Sequence, residues 1–136
     1  MTATYNKFQP FVANIANGKY NLASDTLDVA LSSVIPTAGM DALTSITQIS
    51  YTNLSARVLT VASSTQTAGL YKLMINNLTL TASGAVASFQ YVTVYDATAT
   101  SHELIGWFDY GSSVTLANGD QFIINFDQTN GLLQIT

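Results

Sequence analysis

The residues able to do chemistry are few: eight acidic side chains, one histidine and no cysteine. Glycoside cleavage needs two carboxyl groups across a bond, one to donate a proton and one to act as nucleophile or base. The pairs to consider are Asp25 with Asp28 and Asp109 with Asp127, and nothing in the sequence places either pair together. Asp109 stands out because it interrupts the aromatic run Trp107-Phe108-Asp109-Tyr110, and an unpaired buried carboxylate is costly. A sheet-edge position, or hydrogen bonds from turn amides near Gly111, accounts for it more simply than catalysis. A Ser-His-Asp set would have to use His102, which lies in the polar run Thr100-Ser101-His102-Glu103 and is expected to be solvated. Without cysteines there are no disulfides and no thiolate metal sites. An oxygen-only calcium site around Asp127, Asn130 and Gly131 lacks the required ligand spacing. Those residues predict a turn held by local side-chain hydrogen bonds. Neither a hydrolase elbow nor a phosphate-cradling glycine loop is present. The reading is a non-enzyme with no catalytic residues, no cofactor and no metal.

What must be positioned is therefore surface. Charged residues are only 9% of the chain, against about 25% in ordinary soluble domains, and the mean hydropathy is +0.27. Tyrosine, threonine, serine and asparagine supply hydrogen bonds and contact area without the desolvation cost of charge. Seven tyrosines in such a chain fit a subunit rich in interfaces. The net charge is −4 and the basic residues Lys7, Lys19, Arg57 and Lys72 are scattered, so no cluster exists to neutralise phosphates and nucleic acid is not an expected partner. No apolar run approaches the ~20 residues of a membrane span. Met1 to Lys7 lacks the basic and apolar regions of a secretory signal, which predicts a protein made in the cytoplasm and not exported by that route.

A chain of 136 residues suits one domain, 1–136, burying roughly 68% of its unfolded surface. Residues 1–18 form an N-terminal arm and helix. The helical pattern covers 6–17, with Phe8, Phe11, Val12, Ile15 and Ala16 on one stripe, Pro10 in the first turn and Gly18 as the stop. From Asp25 the period becomes two, with Leu27, Val29 and Leu31 facing inward. Residues 37–53 are predicted to be an irregular surface loop in which Asp41 caps a short turn over Leu43 and Ile46. Further strands are expected over 57–62, 70–75, 78–82, 86–95, 104–110, 114–116, 121–126 and 132–135. Ser63 to Gly69 reads as a loop, and Asn118-Gly119 as a hairpin joining Val114–Leu116 to Gln121–Phe126. The stretch from Leu104 to Tyr110 should cross the middle of the domain, Ile105 and Trp107 facing one side and Phe108 and Tyr110 the other. On the long strand 86–95, Phe89, Tyr91 and Tyr95 should oppose Val92 and Val94. The predicted fold is mainly β, a single-domain antiparallel β-sandwich or barrel of about 7–9 strands with a short N-terminal helix.

Several stretches carry a resemblance. Thr4-Tyr5-Asn6-Lys7-Phe8 through Phe11, the Leu22–Leu31 segment, Thr67–Leu73, Leu104–Leu116, Asn118-Gly119-Asp120 and Asn130-Gly131-Leu132-Leu133 are similar to small tailed-bacteriophage virion proteins. The likeness runs nearly end to end and weakens between Pro36 and Arg57. It implies a structural component of the phage particle, foremost a capsid decoration or cement protein. Such a protein sits on the outer surface of the head, commonly as a trimer, and its partners are the major capsid protein and copies of itself. Tyr5, Lys7 and Phe8, on an arm free to extend, are expected to reach a neighbouring subunit. The alternatives are a tail or head–tail adaptor subunit, and a carbohydrate-binding module on a host-recognition fibre that would use exposed aromatic rings.

Overall fold

A computed structural model describes residues 3–136. The stretches of β-branched and aromatic residues form nine strands, and every strand pair among the described residues is antiparallel. The largest sheet has four strands in the order β1 (Thr4–Lys7), β7 (Leu104–Val114), β6 (Phe89–Asp96) and β2 (Leu27–Ser32). A second joins β3 (Val61–Thr67), β4 (Leu70–Ile75) and β9 (Leu133–Ile135), and a third pairs β5 (Leu78–Thr81) with β8 (Gln121–Ile124). The principal core lies between the first sheet and the other two. Leu27, Val29, Leu31, Phe89 and Val94 meet Leu73, Ile75, Leu80 and Ile124 there. Burying each such side chain contributes about 1.5–3 kcal/mol. The molecule is thus a mainly β, sandwich-like domain.

The opposite face of the four-stranded sheet has its own, smaller core of Phe8, Ala30, Ile46, Tyr95, Leu104 and Trp107. No sheet covers it. Its lid is the irregular segment after β2, from which Ala38, Met40 and Leu43 pack inward. Bridges pairing Ser32 with Gln48 and Ala42 with Glu103 tie this segment down. It is therefore partly a core cover, not simply a surface loop. The short turn expected within it is a 3-10 turn at Leu43–Ser45, without a side-chain cap. Asp41 instead accepts a hydrogen bond from Asn14 Nδ2 at 2.5 Å.

A bulge in β7 sorts its residues between the two cores. Val94 pairs with Gly106 and Tyr95 with Leu104, which leaves Ile105 without a partner. An extra residue in one strand reverses the alternation at that point. Ile105 consequently enters the principal core, while Leu104 and Trp107 face the smaller one. This corrects the expectation that Ile105 and Trp107 share a side. A second irregularity between Phe89 and Tyr91 acts the same way. It places Phe89 with Val92 and Val94 in the principal core and leaves Tyr91 and Tyr95 on the Trp107 side.

Three further expectations change. The helix is only α1 (Pro10–Ala16), because residues 4–7 pair as a strand along β7 and Phe8 closes that pairing, its amide donating to the Ile105 carbonyl at 3.2 Å. Phe11 is buried against Tyr20, ring centres 5.2 Å apart, whereas Val12 is 53% exposed. The predicted loop 63–69 is mostly strand, closed by the two-residue turn Ala68-Gly69 with φ of 52° and 82°. Positive φ at both positions matches the twist of a tight hairpin. Asn118-Gly119 does make a turn, with the Asp120 amide donating to the Ala117 carbonyl at 2.9 Å. It is a corner between sheets and not a hairpin, since Val114 pairs with Phe89 and β8 pairs with β5.

Two glycines are required by space. A β-carbon at Gly106 would lie 2.4 Å from the Tyr5 hydroxyl, so the Tyr5 ring occupies the place of that missing side chain. Gly131 has φ of +79°, and a β-carbon there would lie 2.5 Å from the Leu73 carbonyl oxygen.

Candidate functional site

Neither carboxylate pair considered for glycoside chemistry shares a hydrogen-bond partner. Asp109 Oδ1 accepts from the Gly111 amide at 2.7 Å and from Gln90 Nε2 at 3.0 Å, which is the turn-amide arrangement expected of it. Asp127 accepts from the Thr129 and Asn130 amides and from Asn130 Nδ2. Those amides hold its carboxyl below the usual carboxylate range, as the turn reading of this segment required. Asp28 Oδ2 lies 3.4 Å from the Tyr95 hydroxyl. His102 is exposed, with φ of 53°. No group of three acidic or histidine side chains converges as metal ligands among the described residues.

The carboxyl that Asp25 meets is Asp96, a pairing the sequence did not reveal. Asp96 is fully buried at the end of β6. Its Oδ1 accepts from the Thr98 and Ala99 amides at 2.9 and 3.0 Å, so it anchors the chain leaving the strand. Its Oδ2 has no donor. Burial first, and then the shared contact with Asp25, raises the Asp96 carboxyl from 3.8 to about 7. Glu103, 5% exposed, also has an oxygen, Oε2, without a partner. Tyr20 stands beside this group and donates its hydroxyl to the Leu104 carbonyl at 2.7 Å. Burial, and then the Glu103, Asp41 and Asp96 carboxylates, push its hydroxyl well above its ordinary range against the effect of Asn14. The corner is acidic and buried: Asp96 Oδ1 and the Tyr20 hydroxyl hold the β6–β7 connection, while Asp96 Oδ2 and Glu103 Oε2 are left without a partner.

The N-terminal arm is docked on its own chain. Tyr5 pairs with Phe108 across β1 and β7, with ring centres 5.2 Å apart, and burial pushes its hydroxyl up to about 12. Lys7 is exposed. Phe8 is 0% exposed, packed on Trp107 with ring centres 4.6 Å apart. Of the three residues expected to reach a neighbour, Lys7 lies open, Tyr5 is half-buried and Phe8 offers no surface.

Beside Tyr5 the sandwich is open. A groove of about 680 Å³ runs between the β1–β7 edge and the chain after β8, with Tyr5, Phe108, Tyr110, Phe122, Phe126 and Leu132 among its lining. Tyr110 and Phe122 meet edge to face across it at 5.3 Å. Tyr110 is 38% and Ile123 52% exposed at its rim. Its only charged lining residue is Asp127, and no cationic side chain lines it among the described residues. Alternation in residues 121–126 hinted at two faces, yet only the β5–β8 pairing shows that one of them opens onto this space. Such a surface suits apolar, uncharged contacts. Comparison with protein-family models, with curated protein sequences and with solved structures finds no match for this chain.

Proposed function

We propose that this chain is a non-enzymatic structural subunit of a tailed-bacteriophage virion, working as a capsid decoration or cement protein that binds the major capsid protein. Supporting this reading is a chain with 9% charged residues, whose surface can be buried against a neighbour with little loss of charge hydration, and an open groove lined by Tyr5, Phe108, Tyr110 and Phe122. Its mechanism is binding alone: each copy bridges neighbouring subunits, and many linked contacts resist separation better than any single one. Lys7 and the exposed part of Tyr5 are the arm residues open to such a contact.

The test is to purify particles of the phage that encodes this chain and locate it by image reconstruction and quantitative mass spectrometry. The reading expects density on the outer head surface and a copy number commensurate with the major capsid protein. Density confined to a ring at the tail would assign the adaptor role instead. Complete particles lacking the chain would sink the virion reading.

A further inference from the structure

Asp96 and Glu103 bracket the connection from β6 to β7, and the Asp96 amide donates to the Glu103 carbonyl at 3.0 Å. Their side chains are 0% and 5% exposed, and each keeps one carboxyl oxygen, Oδ2 and Oε2, without a donor. A carboxylate is costly in such a place, because nothing replaces the water it gives up. The titratable groups around Asp96 come from four separate segments: Asp25 before β2, Glu103 before β7, Tyr20 after the helix and Asp41 beside the lid. Three of these four are carboxyls, so they raise the cost of a charge on Asp96. Tyr20 gives its hydroxyl to the Leu104 carbonyl. His102, exposed on the connection itself, meets the Tyr95 ring nearly at a right angle, with centres 6.0 Å apart.

The same connection holds the cover of the smaller core. Asp96 Oδ1 pins its first turn through the Thr98 and Ala99 amides. Its far end pins the lid. The His102 carbonyl accepts from the Leu43 amide at 3.1 Å, the Leu104 amide donates to the Asp41 carbonyl at 2.8 Å, and Ala42 bridges to Glu103. In the core beneath that lid lies Trp107, the only tryptophan of the chain. A charge on Asp96 is relieved by letting water reach Oδ2, and the connection is the easiest part to move, since Thr98, Thr100, Ser101 and His102 are already exposed. We propose that Asp96 is a proton-operated latch: losing its proton frees the 97–103 connection and the 38–43 lid together and uncovers Trp107, while the sandwich core stays folded. Burial, and then the contact with Asp25, holds the Asp96 carboxyl at about 7 against an ordinary 3.8. The closed form therefore dominates at low pH and is lost as pH rises through 7. Each further pH unit favours the open form by up to about tenfold. The inference concerns the chain alone and does not rest on the virion reading.

Hydrogen exchange from about pH 5.5 to about 8.5, divided by the intrinsic rate at each pH, reads the latch. The Leu43 and Leu104 amides, which tie the lid to the connection, should lose protection by up to about tenfold per pH unit above 7. At the top of the range they should be about tenfold or more less protected than the Leu59 and Leu132 amides, which donate to the Leu27 and Leu73 carbonyls in the sandwich. Acrylamide quenching of Trp107 should rise about twofold or more over the same range as local opening brings solvent to the ring. Asp96→Asn keeps an acceptor for the Thr98 and Ala99 amides but carries no charge, and should flatten both responses. Asp25→Asn should move the onset to lower pH, and it serves as the second variant if Asp96→Asn does not fold. His102→Asn places there a residue that tolerates the positive φ, and should change neither response. Protection and quenching that are flat with pH in the wild-type chain overturn the proposal. So does a response that survives in Asp96→Asn, keeps its onset in Asp25→Asn or vanishes in His102→Asn. Leu43 and Leu104 exchanging in step with Leu59 and Leu132 at every pH would mark opening of the whole domain and overturn it too.

Discussion

The two faces of the four-stranded sheet solve the same problem with different materials. One face meets strands whose backbones are locked into two further sheets. The other is roofed by coil, a 3-10 turn and the single side chain of Phe8. Hydrogen-bonded strands cannot follow a shrinking side chain inward, whereas coil can settle by small rotations. Equal burial on the two faces should therefore not mean equal resistance to change.

Phe89 and Phe8 make the sharpest test, since both are 0% exposed. Phe89→Ala should lose about 3–5 kcal/mol in denaturant unfolding, because the cavity stays open between sheets. Phe8→Ala should fall at or below the bottom of that range. Equal losses would erase the contrast between rigid and yielding cover.

The next largest effect concerns pH at the corner where the faces join. The Asp96 carboxyl lies at about 7 in the folded protein against an ordinary 3.8, so the folded state keeps a proton that the unfolded chain has already released. Its contribution to stability is complete below pH 3.8 and is lost as pH rises through 7, with a slope of at most about 1.4 kcal/mol per pH unit. Melting curves from pH 4 to 8 should show the decline, and Asp96→Asn should flatten it. A wild-type profile that rises across that window would contradict the buried, protonated Asp96.

Gly106→Ala tests the arm. The added methyl would displace the Tyr5 ring, at about 1–3 kcal/mol for overpacking, and the Thr4–Lys7 amides should exchange hydrogen faster. Combining it with Tyr5→Ala should recover part of the loss, as removing one of two clashing groups must. The smallest effect lies at the far edge, where the Arg57 guanidinium sits 3.5 Å above the Tyr51 ring centre and donates to the Val29 carbonyl. Tyr51→Leu keeps bulk but removes the π face, and should cost about 0.5–1 kcal/mol more than Tyr51→Phe. Tyr51 also bonds the Leu31 amide, so a Tyr51→Phe control separates the ring from its hydroxyl.

The strands were legible because their signals are local: alternation in residues 27–31, 70–75 and 78–81 survives any choice of partner. What the sequence withheld depends on partners. Whether Ile105 falls inside a bulge is decided by how β6 registers against β7, and nothing in Leu104-Ile105-Gly106-Trp107 carries that register. Phe8 fits a helical stripe by spacing alone, but its amide is claimed by the Ile105 carbonyl almost a hundred residues later in the chain. The Asn118-Gly119 turn was correctly read as a turn and wrongly as a hairpin, since turn chemistry fixes direction reversal and not strand pairing. Asp109 and Asp127 were predictable because their backbone donors lie within three residues; only the Gln90 amide on Asp109 comes from another strand. Asp96 and Asp25 were not, being brought together by the pairing of β2 with β6. The groove was the least visible feature of all, as it is the space left where sheets do not meet.

The seat of the final strand has almost no tolerance. Leu132 donates its amide to the Leu73 carbonyl at 2.8 Å, and the α-carbon of Gly131 passes so near that same oxygen that one methyl would act as a wedge. Alanine at 131 should therefore unfasten β9 from β4 before it disturbs anything else. Gly131 and Leu132 both line the groove wall, so the same methyl that loosens the last strand would reshape the open mouth beside it.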